Sequence, residues 1–562
     1  MANFQLVFFF SSTLLVALSP TVITAALEQD LADLDSFIQS LMECESKPIV
    51  GLTISLVKNG DVVFCKGYGK RDLNQGLPLD NRTIFGLGSI SKSFTATLLA
   101  SVLAERDGVT LDTPLVDILG HDFRFQDEFL TKKTTLRDVL AHRTGLQRFP
   151  TKLLQFGMDI DRAELTRRVR HFSQVHPFRS VFYYNNLLYT LAGHVAERLA
   201  GKPLNSCYGK RSSSLWGRRP FNVGPSYLTY SRDGHALLVD REETFRIQKL
   251  HAPSGGMASN AADMARYMQL HLSGGKGPDG RTLVPDELFR ESHTVQFFRP
   301  YQPDKELYRP QYPVGVRNNG EGFGLIVGDY RGYRRLFRSG IYTGFSSLMS
   351  LFPDASGGVF TSLNGPAFPS HVYIDVHSIL HYRVADMLLG LEPWLNTTTA
   401  CSFPQPWATY DVNMTMPPAP SRDFPRDKRD YEGTFGNPLF GNLTIRLNST
   451  DGTLRFKVGL VGHGILLPIS PGNRVLINGP PSQSAPVVAN FEETQGGAIN
   501  RLVIPVASPE PPVVFVRGLK LTDVDELPTE EGCAVSGAEA TVYKMWSYCV
   551  QLGVAILVFT FI

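Results

Sequence analysis

The 562-residue sequence predicts an α+β fold followed by a small all-β barrel-like domain. Apolar residues recur at helical spacing in residues 27–42 and again after Ser89, whereas residues 48–72 alternate in the manner of two strands around an asparagine–glycine turn. Residues 431–522 consist of alternating runs separated by glycine, asparagine and proline turns. Helices and hairpins are therefore expected in the first part, and strands alone in the last.

Charge and composition narrow the possible partners. The chain carries 55 basic and 53 acidic residues, a net charge of +2, so neither nucleic acid nor an acidic membrane surface is implied as a partner. No cluster of cysteine and histidine has zinc-binding spacing, and we therefore expect no metal and no other cofactor. A small-molecule or peptide substrate fits this composition, and the oligomeric state stays open.

Both ends of the chain resemble targeting segments. Residues 4–19 are apolar and are followed by Pro20 and small residues, which predicts a secretory signal peptide spanning residues 1–26. Residues 545–562 are uncharged and are followed by no basic residue, which favours a GPI-attachment signal over a membrane-spanning anchor. We expect a protein that is secreted or held on the extracellular face of the plasma membrane.

Other sequence features agree with a secretory route. Five N-x-S/T sequons, expected to carry glycans, occur at Asn81, Asn396, Asn413, Asn442 and Asn448.

The chain has six cysteines, and an oxidising compartment would allow them to form disulfides. Cys44 with Cys65 is one candidate pair, which the sequence alone does not establish. One further cysteine, Cys549, lies in the apolar tail and leaves an odd number elsewhere.

A candidate nucleophile stands at the start of a predicted helix. Ser89 follows two glycines and begins an apolar-periodic run, so its hydroxyl sits at the positive end of the helix. Lys92 lies one turn further on the same face, where burial favours the neutral amine that is able to take the serine proton. This is the S-x-x-K arrangement of a serine nucleophile and its base.

A second S-x-x-K sequence provides a comparison within the chain. Ser55 and Lys58 fall in the alternating segment before the asparagine–glycine turn. Side chains three apart on a strand point to opposite faces, so this pair is not expected to act together. The S-x-x-K motif alone therefore does not show whether an occurrence is catalytic or due to chance. The surrounding sequence must distinguish the two.

That context matches a known family. The segments that carry the match are Lys58-Asn59-Gly60, Lys66-Gly67-Tyr68-Gly69, Ser89-Ile90-Ser91-Lys92-Ser93-Phe94-Thr95-Ala96, residues 136–146 and residues 252–259. Between about residues 34 and 389 the chain resembles the serine β-lactamase and penicillin-binding-protein family, nearest to its class C-like branch. The resemblance implies a β-lactamase/transpeptidase-like fold, an antiparallel sheet flanked by helices plus a helical region, with the active site between them.

The same resemblance organises the chain into segments. Residues 27–400 would form the serine hydrolase domain and residues 401–430, which are rich in proline and charge, a linker. Residues 431–522 resemble the lipocalin-like barrel often appended to this family, and residues 523–562 form the tail.

A tyrosine and an asparagine resemble the family's Y-x-N motif. Two registers fit, Tyr183 with Asn185 and Tyr184 with Asn186, and the residues that follow favour the second. The resemblance implies that Tyr184 relays the proton and that Asn186 binds substrate and holds the lysine. A buried tyrosine near a helix start is the alternative. His142 is a candidate general base by residue type, but the resemblance implies a structural role for it.

The last site element departs from the family. Where relatives have lysine or histidine, then any residue, then glycine, this chain has Arg338 and Gly340. We expect Arg338 to bind a negative group of the substrate, with a solvated strand arginine as the alternative. The backbone N–H groups of Ser89 and Ile341 would form the oxyanion hole, which does not depend on side-chain identity.

The sequence thus predicts a serine hydrolase that cleaves an ester or amide through a Ser89 acyl-enzyme. Two rivals stay open: an inactive binding protein with the same fold, or a true β-lactamase or D-amino-acid peptidase. Arg338 and residues 205–224, which lack the periodicity of the family, favour the first rival.

Overall fold

The computed structural model describes residues 20–149, 153–154, 156–204, 227–229, 236–238, 249–300, 306–342, 344–365, 370–409, 419–421, 423–478 and 487–519. Several predictions fall outside these ranges. They are the apolar stretch of the signal peptide, the atypical segment 205–224, the sequon at Asn413 and the tail 523–562.

Helices and strands alternate through the first four hundred residues. The α-helices that lie wholly within the described residues are α1 Pro20–Met42, α2 Ser91–Leu103, α3 Leu115–Leu119, α4 Glu128–Lys133, α5 Leu136–Leu140, α6 Arg162–Arg168, α7 Asn186–Ala200, α8 Ala261–Leu272, α9 Asp286–Ser292, α10 Ser370–Leu389 and α11 Thr397–Ser402. The strands up to α10 are β1 Gly51–Lys58, β2 Asp61–Asp72, β3 Leu77–Pro78, β4 Phe85–Gly86, β5 Tyr227–Thr229, β6 Ala236–Leu238, β7 Ala258–Ser259, β8 Phe297–Phe298, β9 Val316–Glu321, β10 Ile326–Tyr330, β11 Tyr333–Tyr342, β12 Phe345–Phe352 and β13 Gly357–Leu363.

Nine of these strands form one antiparallel sheet in the order β3-β2-β1-β13-β12-β11-β10-β9-β8. The predicted hairpin is confirmed as β1 and β2. It turns at Asn59 and Gly60, whose φ angles are 51° and 89°, the left-handed conformation that a two-residue hairpin turn requires. The α+β expectation for this part of the chain is therefore confirmed.

Helices cover both faces of the sheet. On one face α1 and α10 pack against Leu52, Ile54 and Val359. On the other, α2 and α8 pack against Met349 and Phe360. Helices α3, α5 and α7 continue from α2 into a separate helical region with its own core. A long apolar cluster on each side thus fixes the sheet between the helices, as expected from area-proportional hydrophobic burial.

The candidate disulfide between Cys44 and Cys65 is wrong. Cys44, just after α1, is bonded to Cys401 in α11, with 5.5 Å between their Cα atoms. Strand β2 alternates its faces, so Phe64 joins the core beneath α1 whereas Cys65 lies with the core on the opposite face. The sheet therefore separates Cys44 from Cys65, which is a free thiol.

The chain beyond α10 first packs on the hydrolase domain. Trp394, Phe403 and Trp407 form an aromatic group there, with the Trp394 and Trp407 rings 5.0 Å apart. The first residues of the segment expected as a linker are therefore part of the packed domain. Among the described residues, no helix is long and apolar enough to cross a membrane.

The predicted all-β module is a closed antiparallel barrel of eight strands. Its strands are β14 Gly433–Asn437, β15 Gly441–Leu447, β16 Leu454–Val458, β17 Gly462–Ile469, β18 Arg474–Asn478, β19 Val487–Glu493, β20 Ile499–Ile504 and β21 Val513–Arg517. Each strand pairs with the next, and β21 pairs with β14 through Phe435 and Arg517, so no edge is left unpaired.

The barrel packs directly on the helical region of the hydrolase domain. The loop before β17 donates backbone hydrogen bonds to that region, from Leu460 to Gly157 and from Val461 to Phe156. A Cβ atom added at Gly459 would lie 2.0 Å from the Gly157 carbonyl oxygen, so only glycine permits this approach. The two modules consequently share one continuous apolar core.

Candidate active site

Ser89 lies in a tight turn between β4 and α2. Residues 88–90 form one 3₁₀ turn, and Gly88 has a φ of 52°. A Cβ atom at Gly88 would come within 2.4 Å of the Ile341 backbone nitrogen, so glycine is needed both for the conformation and for the space. The turn thereby brings Ser89 against the end of β11, at the boundary between the sheet and the helical region.

The structure brings the predicted serine, lysine and tyrosine together. The Ser89 Oγ atom is 2.7 Å from the Tyr184 hydroxyl oxygen, and the Lys92 amine donates to the same Oγ at 3.3 Å. Both partners are thus within reach for proton transfer. The Lys92 Nζ atom also lies 4.7 Å from the centre of the Tyr184 ring.

Lys92 is completely buried and uses its hydrogen-bonding capacity in full. Besides Ser89, its amine donates to Asn186 Oδ1 at 2.7 Å and to the Ser254 carbonyl oxygen at 2.6 Å. Three acceptors around one nitrogen suit an ammonium group, which has three donors. Burial nevertheless lowers the pKa of Lys92 to about 8, so its neutral form is accessible near neutral pH.

Tyr184 also has a perturbed pKa. Burial alone would raise it, but the positive charges of Lys92 and Arg338 outweigh burial and lower the pKa of the phenol to about 8. The phenol and the amine therefore exchange protons at little cost. A much larger fraction of Tyr184 than of an ordinary phenol is therefore phenolate near neutral pH, and the phenolate is the form that can accept the proton of Ser89.

Tyr184 precedes α7 in an irregular segment. Asn185 caps that helix by accepting from the Leu188 N–H at 3.2 Å, and its own Nδ2 donates to the Gln147 carbonyl oxygen at 2.8 Å. The next residue, Asn186, begins α7 and faces Lys92. The helix start thus sets Tyr184 and Asn186 on the side of the nucleophile.

His142 supports the tyrosine segment. Its Nδ1 atom accepts from the Asn185 N–H at 3.1 Å, and its ring centre lies 4.5 Å from that of Tyr184. Burial and then the charge of Arg338 hold the pKa of His142 well below its usual value, so the ring is neutral. Its contacts are those of a structural residue.

The backbone at the end of β11 lies against the nucleophile turn. A Cβ atom at Gly340 would come within 1.9 Å of the Leu87 carbonyl oxygen and 2.9 Å of the Ser89 nitrogen. The Ser347 hydroxyl donates to the same Leu87 oxygen at 2.9 Å and ties β12 to the turn. A Cβ atom at Gly88 would in turn lie close to the Ile341 nitrogen, so the two backbone segments that carry the predicted oxyanion-hole donors, Ser89 and Ile341, are in close contact.

Arg338 lies beside Tyr184, and the alternative of a solvated strand arginine is wrong. It is buried, and its guanidinium donates to Glu321 Oε1 at 2.5 Å and to the Tyr184 hydroxyl at 3.2 Å. The other oxygen of Glu321 accepts from Arg299 at 2.7 Å. The charge of Arg338 therefore acts on Tyr184, and Arg338 shares the single negative charge of the fully buried Glu321 with Arg299.

Two contributors to the site were missed from the sequence. Ser254 supplies a carbonyl oxygen to Lys92, although the turn around it had been recognised as a family segment. Glu321 sits between glycines on β9 and carries no motif of its own. Only its position across β10 from Arg338 gives it a role, and no local sequence pattern encodes that position.

The fold and this geometry define a serine hydrolase of the S-x-x-K type. The family model described as Beta-lactamase matches residues 34–381, more than half of the chain. The chain therefore belongs to the beta-lactamase family.

Individual relatives agree with this assignment. An unguisins hydrolase of Aspergillus campestris is 30% identical over 429 residues, which is 71% of this chain and 74% of the relative. A second unguisins hydrolase, of Aspergillus violaceofuscus, is 22% identical over 72% of this chain and 75% of the relative. Among solved structures, the octameric penicillin-binding protein homologue from Pyrococcus abyssi matches 87% of this chain and 100% of its own, with a TM-score of 0.54 at 19% identity. That last likeness concerns the fold alone.

Proposed function

We propose that this hydrolase cleaves an ester or amide through an acyl-enzyme on Ser89. One observation carries the proposal: Ser89 Oγ is 2.7 Å from the Tyr184 hydroxyl oxygen and 3.3 Å from the Lys92 amine. The backbone of β11 at Gly340 and Ile341 approaches the Ser89 turn at the same place. A nucleophile, a base and oxyanion donors are thus in one place.

In the acylation step, Ser89 Oγ attacks the substrate carbonyl carbon while its proton passes to the Tyr184 oxygen. The negative charge that develops on the carbonyl oxygen is stabilised by the N–H groups of Ser89 and Ile341. Tyr184 then returns the proton to the leaving amine or alcohol as the carbon–leaving-group bond breaks. Lys92 keeps the phenolate stable throughout, because its charge is held close to the Tyr184 ring.

Deacylation reverses these roles. A water molecule takes the place of the leaving group and loses a proton to Tyr184 as it attacks the acyl carbon. The Ser89 oxygen leaves and recovers its proton, which regenerates the free enzyme. Asn186 keeps the Lys92 amine in position through the 2.7 Å hydrogen bond during both halves of the reaction.

We propose further that the acyl group is uncharged. Arg338, the cation nearest Tyr184 on β11, already donates to Glu321 and to Tyr184. The adjacent Ile341 side chain is 54% exposed, so an apolar surface borders the oxyanion donors. The fungal relatives are named for the hydrolysis of unguisins, so unguisins belong in the substrate panel beside neutral esters and amides.

Active-site labelling tests the acyl-enzyme. A fluorophosphonate should modify Ser89 in the wild-type chain, and the Ser89→Ala variant should lose both labelling and ester hydrolysis. Ser55→Ala is the matched control, because Ser55 heads the other S-x-x-K sequence, and it should behave as the wild type does. An adduct on another serine would overturn the assignment of Ser89, and the absence of an adduct with any electrophile would favour an inactive binding protein.

We also propose that the hydrolase acts outside the cytosol. The bond between Cys44 and Cys401 supports an oxidising compartment, and the sequon asparagines Asn396 and Asn442 are exposed. Release from cells by a phosphatidylinositol-specific phospholipase would support a GPI anchor. Retention on the membrane with an intact tail peptide would indicate a spanning anchor instead.

A further inference from the structure

We propose that Glu510, on the barrel loop between β20 and β21, is a positioning residue for Tyr184. The barrel would then be a working part of the active site. This inference rests on the proposed function, since it assigns Glu510 an effect on the tyrosine that moves the proton.

One carboxylate of the barrel joins two loops of the hydrolase domain. Glu510 is only 7% exposed, and its Oε1 atom accepts from the Tyr183 hydroxyl and, at 3.1 Å, from the Arg148 backbone N–H. The Arg148 guanidinium lies 3.6 Å from the same oxygen and 4.9 Å from the centre of the Tyr183 ring. Glu510 thus joins the loop that contains Arg148 to the segment that contains Tyr183.

That segment determines where Tyr184 sits. Residues 182–185 belong to no helix or strand, so they have no hydrogen-bond ladder to hold them. Their backbone is held at two points, from the Tyr183 N–H to the His142 oxygen at 2.7 Å and from the Asn185 N–H to His142 Nδ1 at 3.1 Å. Two side chains add further anchors: the Asn185 amide, which donates to the Gln147 carbonyl oxygen at 2.8 Å, and Tyr183, whose contact with Glu510 is the one supplied by the barrel.

The contact is a poor device for stability alone. The Oε2 atom of Glu510 is buried and has no hydrogen-bond partner among the described residues, an arrangement that costs free energy. Burial, and then the carboxylate of Glu510, raise the pKa of Tyr183 to about 12, so its hydroxyl stays protonated and donates at every physiological pH. Glu510 thus has one oxygen without a hydrogen bond, while its other oxygen always accepts from the Tyr183 hydroxyl. Such an arrangement fits a residue that positions its neighbour.

Catalysis is sensitive to such positioning. The proton moves across the 2.7 Å between the oxygens of Ser89 and Tyr184, and a displacement of about 1 Å in a reacting group costs about 10²-fold in rate. Loss of the Glu510 contact alone, with the other anchors of the segment kept, should allow a smaller displacement. We therefore expect a loss of roughly tenfold in the rate of Ser89 acylation when the contact is removed.

The test compares Glu510→Gln, Tyr183→Phe and the double variant in the full chain. The readouts are the rate at which a fluorophosphonate labels Ser89, kcat/KM on a neutral p-nitrophenyl ester, and the thermal midpoint. Both single variants should slow labelling about tenfold, and the double variant should be no slower than either, because they remove one shared contact. Glu432→Gln is the matched control, since Glu432 also holds a backbone N–H, that of Leu447, but inside the barrel.

A pH profile separates positioning from a general loss of folding. If Tyr184 moves away from Lys92 and Arg338, its pKa rises, and the acid limb of the labelling rate moves to higher pH in both single variants. Labelling of Glu510→Gln at the wild-type rate, or a loss that follows the thermal midpoint with an unmoved limb, would overturn the inference. Failure to label Ser89 in the wild type would overturn the proposed function as well.

Discussion

The chain contains the S-x-x-K sequence twice, and the two copies have opposite surroundings. Ser55 and Lys58 lie on β1, where the Ser55 Oγ atom is buried with no hydrogen-bond partner among the described residues. Ser89 and Lys92 lie in a 3₁₀ turn and the first turn of α2, where their side chains meet at 3.3 Å.

The difference shows that chemistry comes from the surroundings and not from the motif. On a strand, residues three apart face opposite ways, whereas on a helix they share one face. The helix copy also brings Lys92 into a site with three acceptors, and burial there lowers its pKa to about 8. The strand copy lacks both conditions. Each copy therefore serves as a control for substitutions in the other.

The largest difference in activity is expected between alanine variants of the two lysines, Lys92 and Lys58. Lys92→Ala removes the charge that keeps the Tyr184 phenolate stable, so kcat/KM on a neutral ester should fall by about 10²–10⁴-fold. Lys58→Ala changes a residue at the end of β1 and should leave kcat/KM unchanged. Circular dichroism and the thermal midpoint would show that both variants are folded. Appreciable activity in Lys92→Ala would remove the lysine from the mechanism.

The pH dependence of kcat/KM tests the lowered pKa values at the Ser89 site. The Lys92–Tyr184 pair releases a proton near pH 8, and that deprotonation generates the base, so kcat/KM should rise with pH through about 8. Arg338→Met removes a positive charge beside Tyr184 and so raises the pKa of Tyr184. The rise of kcat/KM should then move to higher pH by roughly one pH unit. Arg334→Met, on the same strand with an exposed side chain, should leave the limb in place.

Matched substrates complete the test of Arg338. Because its charge is already paired with Glu321, Arg338→Met should cost the same factor on a neutral ester and on an ester of equal size with a carboxylate. A loss ten- to a hundredfold greater on the anionic ester would mean that Arg338 binds a substrate carboxylate, as the sequence suggested.

The smallest effect concerns the inactive serine. Its hydroxyl is buried without a hydrogen bond, so Ser55→Ala removes an unsatisfied polar group and should change the free energy of unfolding by no more than about 1 kcal/mol, towards greater stability. Chemical denaturation measures the change. A clear loss of stability would mean that the Ser55 hydroxyl has a partner, such as a buried water.

Local sequence patterns were enough to predict several helices and strands and some of the active-site residues. The asparagine–glycine turn specified the first hairpin, and the helical spacing after Ser89 specified α2. Tyr184 and Asn186, which the structure brings to Lys92, were predicted from a three-residue motif with only two specified positions, interpreted in the context of a family.

What the sequence did not reveal depends on contacts between distant segments. Glu321 reaches Arg338 across β10, and Glu510 reaches Tyr183 from another module, 327 residues along the chain. The cysteine pairing failed for the same reason. Cys65 is near Cys44 in sequence, but the alternation of β2 sends it to the other face of the sheet.

The bond between Cys44 and Cys401 also has a consequence for synthesis. The two cysteines are 357 residues apart, so at about 5–20 residues per second the ribosome completes the second on the order of 20–70 s after the first. During that interval the Cys44 thiol has only wrong partners, and Cys65 emerges early among them. Once β2 has paired with β1 and α1 covers one face of that hairpin, Cys44 and Cys65 lie on opposite faces and are kept apart.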